Sequence, residues 1–198
     1  MNLPNKITLL RIALIPVFMI FAFPYPESMQ SISFPGLSFL VKYSDLIALI
    51  LFVVAASTDA VDGHIARKYN LVTDFGKFLD PIADKLLVTA ALLALMCVDK
   101  VYAWATMIIL IREFIVTGLR LVADTKGIVI AAGQLGKLKT VFQTAALSVL
   151  LAAPVFPAGG EKIVYIIGDI LMGIAVLLTI VSGVEYIYKN RKVILESK

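Results

Sequence analysis

Six stretches of this chain approach or exceed the roughly twenty residues that a helix needs to cross a bilayer, the first being short for a span, and the links between most of them are only a few residues long. They fall at about 7–23, 44–67, 77–98, 101–123, 134–153 and 162–187. A chain written this way has few options. With 60% hydrophobic and 16% charged residues, it lies outside the range of soluble domains, in which about 25% of residues are charged. The expected fold is all-α: one integral membrane domain over 1–198, a bundle of six transmembrane helices with no room for a separate soluble domain. The link between the third and fourth stretches is little more than Asp99 and Lys100, which makes those helices antiparallel neighbours. The one longer connection, 24–43, contains Pro24, Pro26, Pro35 and Gly36 with several aromatics and reads as a loop of interfacial character. The segment 1–11 reads as an amphipathic lead-in to the first helix, which has no small-residue cleavage site after Phe23 and is expected to be retained.

Charge orients the bundle. Of 18 Lys and Arg residues, only Lys42, Lys100 and Lys162 fall on one side. The side rich in basic residues is expected to be cytoplasmic, which places both termini inside, in a multi-pass protein of the cell membrane. The single cysteine, Cys97, excludes an intrachain disulfide and reads as a packing residue. Lys126, Lys189, Arg191, Lys192 and Lys198 read as anchors or contacts to anionic lipid. Gly168 and Gly173 read as points of close helix packing.

Chemistry concentrates in residues 59–84, DAVDGHIARKYNLVTDFGKFLDPIAD. Asp59 and Asp62 are spaced i, i+3, and Asp80 and Asp84 are spaced i, i+4, so each pair shares a helix face. The short link around 68–76 folds the second helix of this pair back beside the first, and four carboxylates then converge. Carboxylates at membrane depth are costly and mark function. A cluster of hard oxygen ligands, with no second His or Cys near His64, favours Mg²⁺, Mn²⁺ or Ca²⁺ over zinc. Gly63 and Ala66 are small enough to let a flat ligand approach the backbone, Gly76 lets the third helix start close to the second, and Arg67 suits a bidentate phosphate contact. Arg112, Arg120, Lys137 and Lys139 fall at the same end of the bundle, where a basic cluster facing four carboxylates suits an acceptor that carries a phosphate. Glu113 is placed to orient or neutralise Arg112, and Asn5, Thr8 and Arg11 to cap the same pocket.

The stretch matches D-x2-D-G-x2-A-R-x8-G-x3-D-x3-D at every fixed position, and so resembles the signature of the CDP-alcohol phosphatidyltransferases. That resemblance implies a six-helix membrane enzyme, commonly a homodimer, that transfers a phosphatidyl group from a CDP-linked donor to an alcohol and releases CMP. It implies two divalent metals, Mg²⁺ or Mn²⁺, on Asp59, Asp62, Asp80 and Asp84, with Asp84 as general base. It implies that Asp59, Gly63, Ala66, Arg67 and Gly76 border CDP-diacylglycerol. The segments PNKITLLRI, IREFIVTGLR and GKLKTVFQT resemble the bacterial branch whose acceptor is glycerol 3-phosphate, with Arg112, Arg120, Lys137, Lys139, Asn5, Thr8 and Arg11 as its contacts. Two alternatives stand beside this reading. One is the same chemistry on inositol phosphate, serine or phosphatidylglycerol. The other is a divalent-cation transporter using the same carboxylates.

Overall fold

The computed structural model describes residues 3–24, 40–68, 74–125, 127, 130, 133–157 and 159–191, with side chains described outside 3–6, 59–78, 80–81 and 124–125. Six long helices follow one another: α1 (Leu3–Ala22), α2 (Ser44–Lys68), α3 (Asp74–Cys97), α4 (Ala103–Thr125), α5 (Gln134–Ala152) and α6 (Gly160–Lys189). A 3-10 turn, Ala153–Val155, joins α5 to the loop before α6. No strand occurs among the described residues. Helix α1 starts at Leu3 rather than at 7, because Pro4 sits in the first turn, where the missing N–H is not needed. The lead-in is thus part of the helix, and Thr8 and Arg11 are buried within the bundle.

The short links alternate the helix directions. The end of α3 shows how one reversal is made. Lys100 N–H donates to the Leu95 carbonyl at 2.9 Å and Asp99 N–H to the Met96 carbonyl at 3.1 Å. Asp99 adopts the left-handed conformation, φ 56°, that this terminating motif requires. Lys100 then lies over the ring of Tyr165 at 4.1 Å, which ties the turn to the start of α6.

Packing runs through small residues. Ala48, Ala55, Ala91 and Ala94 are buried, and they let the helix backbones approach one another. Phe18 of α1 and Phe52 of α2 meet at a ring-centroid distance of 6.0 Å in the centre of the core, beside Leu92, Leu147 and Leu150. Helix α1 packs on α2 and α3, α4 packs on α6, and α5 makes its most extensive contact with α6. That last contact is close because Gly168 has no side chain: a Cβ there would lie 2.5 Å from Leu150 Cδ2 and 2.7 Å from Leu150 Cγ.

The outward faces are apolar as well. On α6, Ile163, Ile170, Leu177, Val181 and Val184 are exposed. Among the described residues, two helical segments, Gln134–Val155 and Gly160–Lys189, are long and apolar enough by length and composition to cross a membrane. The alternation brings together, at one end of the bundle, the last turns of α2, α4 and α6 and the first turns of α1, α3 and α5.

Replacing Gly168 tests the α5–α6 contact. Leu150 is fully buried, and a Cβ at residue 168 would overlap its Cγ as well as its Cδ2. Gly168→Ala is expected to lose about 1–3 kcal/mol to overpacking, outweighing the roughly 1 kcal/mol gained in helix propensity. Thermal unfolding in detergent would read this as a lowered midpoint, with Gly173→Ala, where a Cβ meets nothing within 4 Å, as the neutral or stabilising control.

Candidate active site

The backbone places Asp59 and Asp62 in the last part of α2, and Asp80 and Asp84 in the first half of α3. The two helices pack against each other, so both pairs fall at the same end of the bundle. The side chains of Asp59, Asp62, Gly63, Ala66, Arg67, Gly76, Asp80 and Asn5 lie outside the described residues. Among the described residues, no three His, Cys, Asp or Glu side chains gather as metal ligands. Asp84 is described. It is partly buried and lines two large cavities of different character, as well as a narrow space between helices.

The first cavity, about 570 Å³, is basic. It opens between α3, α4, α5 and α6, and its wall includes Lys85, Arg112, Arg120, Lys137 and Lys189. Three of the four basic residues expected together, Arg112, Arg120 and Lys137, do meet here. Arg112 is held in a slot. A Cβ on Gly136 of α5 would lie 3.1 Å from its Nη2, and a Cβ on Gly183 of α6 would lie 3.1 Å from its Cγ. Nη2 donates to Ser182 Oγ at 3.2 Å, and Nη1 donates to Glu113 Oε1 at 2.9 Å. Arg120 lies against Tyr186, with Nε donating to the phenol oxygen at 3.4 Å and the guanidinium 5.8 Å from the ring centroid.

Lys139, the fourth, lies behind this wall. Its side chain is 2% exposed, and its ammonium donates to Glu113 Oε1 at 2.6 Å. It lines only a narrow space of about 40 Å³ beside the larger cavity, together with Asp84, Lys85 and Glu113. Glu113 is the common partner: Lys85 Nζ approaches its Oε2 at 3.5 Å. A buried ammonium without a counter-ion is unfavourable by several kcal/mol, so Glu113 is what permits Lys139 to be there.

The second cavity, about 460 Å³, is mostly apolar. Its wall includes Phe52, Ala55 and Ala56 of α2, Leu87 and Val88 of α3, and Val141, Thr144, Ala145 and Ser148 of α5. Arg11 lines this cavity, whereas Arg112, Arg120 and Lys137 line the basic one. Asp84 and Thr140 border both cavities, and Thr140 Oγ1 is fixed by donating to the Lys137 carbonyl at 2.7 Å. The Asp84 carboxylate therefore stands between a basic cavity and a mostly apolar one.

Sequence reading alone missed Lys85 and the wall contributed by α6. Ser182, Glu185, Tyr186 and Lys189 recur at helical spacing on one face of an otherwise apolar helix. That polar stripe was the available signal. Lys189, expected to be a lipid anchor, pairs with Glu185 on the cavity wall.

Comparison with known proteins gives a consistent picture. The family model for CDP-alcohol phosphatidyltransferase matches residues 1–181. A Bacillus subtilis protein named CDP-diacylglycerol--glycerol-3-phosphate 3-phosphatidyltransferase is 48% identical over 190 residues, covering 96% of this chain and 95% of the relative. A Rickettsia felis protein of the same name is 40% identical over 96% of each chain. A Mycobacterium tuberculosis protein named probable phosphatidylglycerophosphate synthase is 38% identical over 94% of this chain and 80% of its own length.

The two glycines around Arg112 should respond differently to a methyl group. At Gly136 the neighbour is Nη2 at the far end of a long side chain, whose 3.2 Å bond to Ser182 leaves room for a shift of a few tenths of an ångström. At Gly183 it is Cγ, held on both sides. Gly136→Ala is expected to leave the unfolding midpoint unchanged or raised, by up to about 1 kcal/mol of helix propensity. Gly183→Ala is expected to lower it, by about 1 kcal/mol or more net of that gain. Thermal melts of the two variants in one detergent decide the order.

Proposed function

The chain belongs to the CDP-alcohol phosphatidyltransferase family, and from that we propose that it transfers the phosphatidyl group of CDP-diacylglycerol to glycerol 3-phosphate, giving phosphatidylglycerol phosphate and CMP. The observation that carries the assignment of roles is the position of Asp84 on the shared border of a basic cavity and an apolar one. The donor enters on the apolar side. The alanines and Phe52 of α2 and the Leu87–Val88 wall suit its lipid part, while Asp59, Gly63, Ala66, Arg67 and Gly76 border its cytidine diphosphate. Arg11, on the same wall, supplies positive charge toward the diphosphate.

Glycerol 3-phosphate enters on the basic side. Arg112, Arg120 and Lys137 hold its phosphate, and Lys139 acts on that site through Glu113. Asn5 and Thr8 belong to the first two turns of α1, at this end of the bundle, but no described residue of α1 is part of the basic wall. Asp84 takes the proton from the primary hydroxyl. The oxygen forms a bond to the phosphorus that bears diacylglycerol, and the bond from that phosphorus to the CMP oxygen breaks. Arg67 stabilises the leaving phosphate. Positioning and charge complementarity supply most of the acceleration, as in phosphoryl transfer generally.

The family is generally dependent on divalent metal. The donor set here fits that requirement: four aspartates on two packed helices, all hard oxygen ligands, suit Mg²⁺ or Mn²⁺. Two such ions held by Asp59, Asp62, Asp80 and Asp84 would neutralise the diphosphate. The protein works as a multi-pass homodimer in the cell membrane. Six crossings put the site and both termini on the cytoplasmic side, a reading supported by the location of all but three of its 18 basic residues.

Release of CMP by purified protein tests this directly. It should require CDP-diacylglycerol, glycerol 3-phosphate and Mg²⁺ or Mn²⁺, and should stop on chelation. Asp84→Asn should lower turnover by roughly 10²–10⁴-fold, the range supplied by a positioned general base. Release that needs inositol phosphate or serine instead would keep the chemistry and change the acceptor. No release with any alcohol, from folded protein, would overturn the reading.

A further inference from the structure

We propose that Glu113 is a positioning residue for the acceptor, fixing Arg112 and the lysines around it into one array shaped for a single phosphate monoester. The proposal rests on the reading of the basic cavity as the acceptor site. Glu113 contacts cations from three helices: Lys85 of α3 at 3.5 Å, Arg112 of α4 at 2.9 Å and Lys139 of α5 at 2.6 Å. Both carboxylate oxygens are used. Oε1 holds the buried Lys139 ammonium and Nη1 of Arg112 together, and Oε2 faces Lys85.

The consequence for Arg112 is geometric. Glu113 takes its Nη1 and Ser182 takes its Nη2 at 3.2 Å, while Gly136 and Gly183 flank the side chain closely. The guanidinium is thereby set in one orientation before any ligand arrives, which removes the entropy loss of ordering it on binding. The charge balance identifies the ligand class. Among the described residues lining this cavity, five are basic and three acidic, a formal surplus of two positive charges. A phosphate monoester carries about −1.5 to −2 near pH 7. Lys139, paired with Glu113 just behind the wall, adds to this surplus, and a neutral or cationic alcohol would leave it uncompensated.

Loss of the Glu113 charge makes the cavity more positive, which alone would strengthen anion binding. A weaker acceptor interaction in its absence therefore reports lost geometry rather than lost attraction. The test is the kinetic constants of wild type, Glu113→Gln and Glu113→Asp, measured on folded, monodisperse protein in detergent with CDP-diacylglycerol. Glu113→Gln is expected to raise KM for glycerol 3-phosphate at least tenfold while leaving KM for CDP-diacylglycerol within twofold. Glu113→Asp keeps the charge on a shorter arm, and is expected to raise the acceptor KM by less, about threefold. If Glu113→Gln is not recovered folded, the rise in Glu113→Asp decides alone. An unchanged acceptor KM, with only kcat or the folded fraction falling, overturns the proposal, as does an equal rise in both KM values. Failure of the wild type to use glycerol 3-phosphate is a separate result, and overturns the acceptor reading beneath it.

Discussion

The ion pair between Glu113 and the buried Lys139 is the contact around which the polar half of this molecule is organised. Helices whose inner and outer faces are both apolar gain little from burying charge, and every ionised group inside the bundle must find a partner. Glu113 satisfies three at once and draws α3, α4 and α5 into register at one end. Arg112 is then held against α6 through Ser182. A network that joins four helices at this end complements the alanine-rich core formed by Phe18, Phe52 and Leu147. One region supplies close packing, and the other supplies a rigid polar lining.

The basic and apolar cavities divide along the same line. The helices that carry the aspartate motif, α2 and α3, form most of the apolar wall with α5. The helices that carry the arginines and their partners, α4 and α6, form most of the basic one. The motif residues and the basic residues are far apart in sequence, and only the reversal of direction at each short link brings them to one end. Asp99, in its left-handed conformation, is one of the residues that makes such a reversal possible.

Much of this was legible from the chain. Apolar length fixed the helices well: α2 and α5 begin at the expected residues, 44 and 134. Helices α1 and α3 begin earlier than apolar length alone indicates, because Pro4 and the polar Asp74 look like loop although a first turn accepts them. Asp84 stood out by its spacing from Asp80, and Arg112 by its place in a basic cluster. Lys139 belonged to the same cluster, but its burial behind Glu113 depends on the packing of α4 against α3 and α5, which no spacing records. The polar stripe on α6 was harder to see. At the end of a long apolar helix, Glu185 and Lys189 look like ordinary surface charges, and only the neighbouring Arg120 and Arg112 give Tyr186 and Ser182 their meaning.

Asp84 and Thr140 form part of both cavity walls, so the two chambers have a partition in common. A ligand pressing on that partition from one side alters the boundary that the other ligand meets. Any coupling of binding free energies across it is reciprocal by linkage: whatever factor occupancy of one cavity applies to affinity in the other, the converse occupancy returns. In an enzyme with this plan, communication between substrates needs no moving domain or distant relay. It follows from the thickness of one wall.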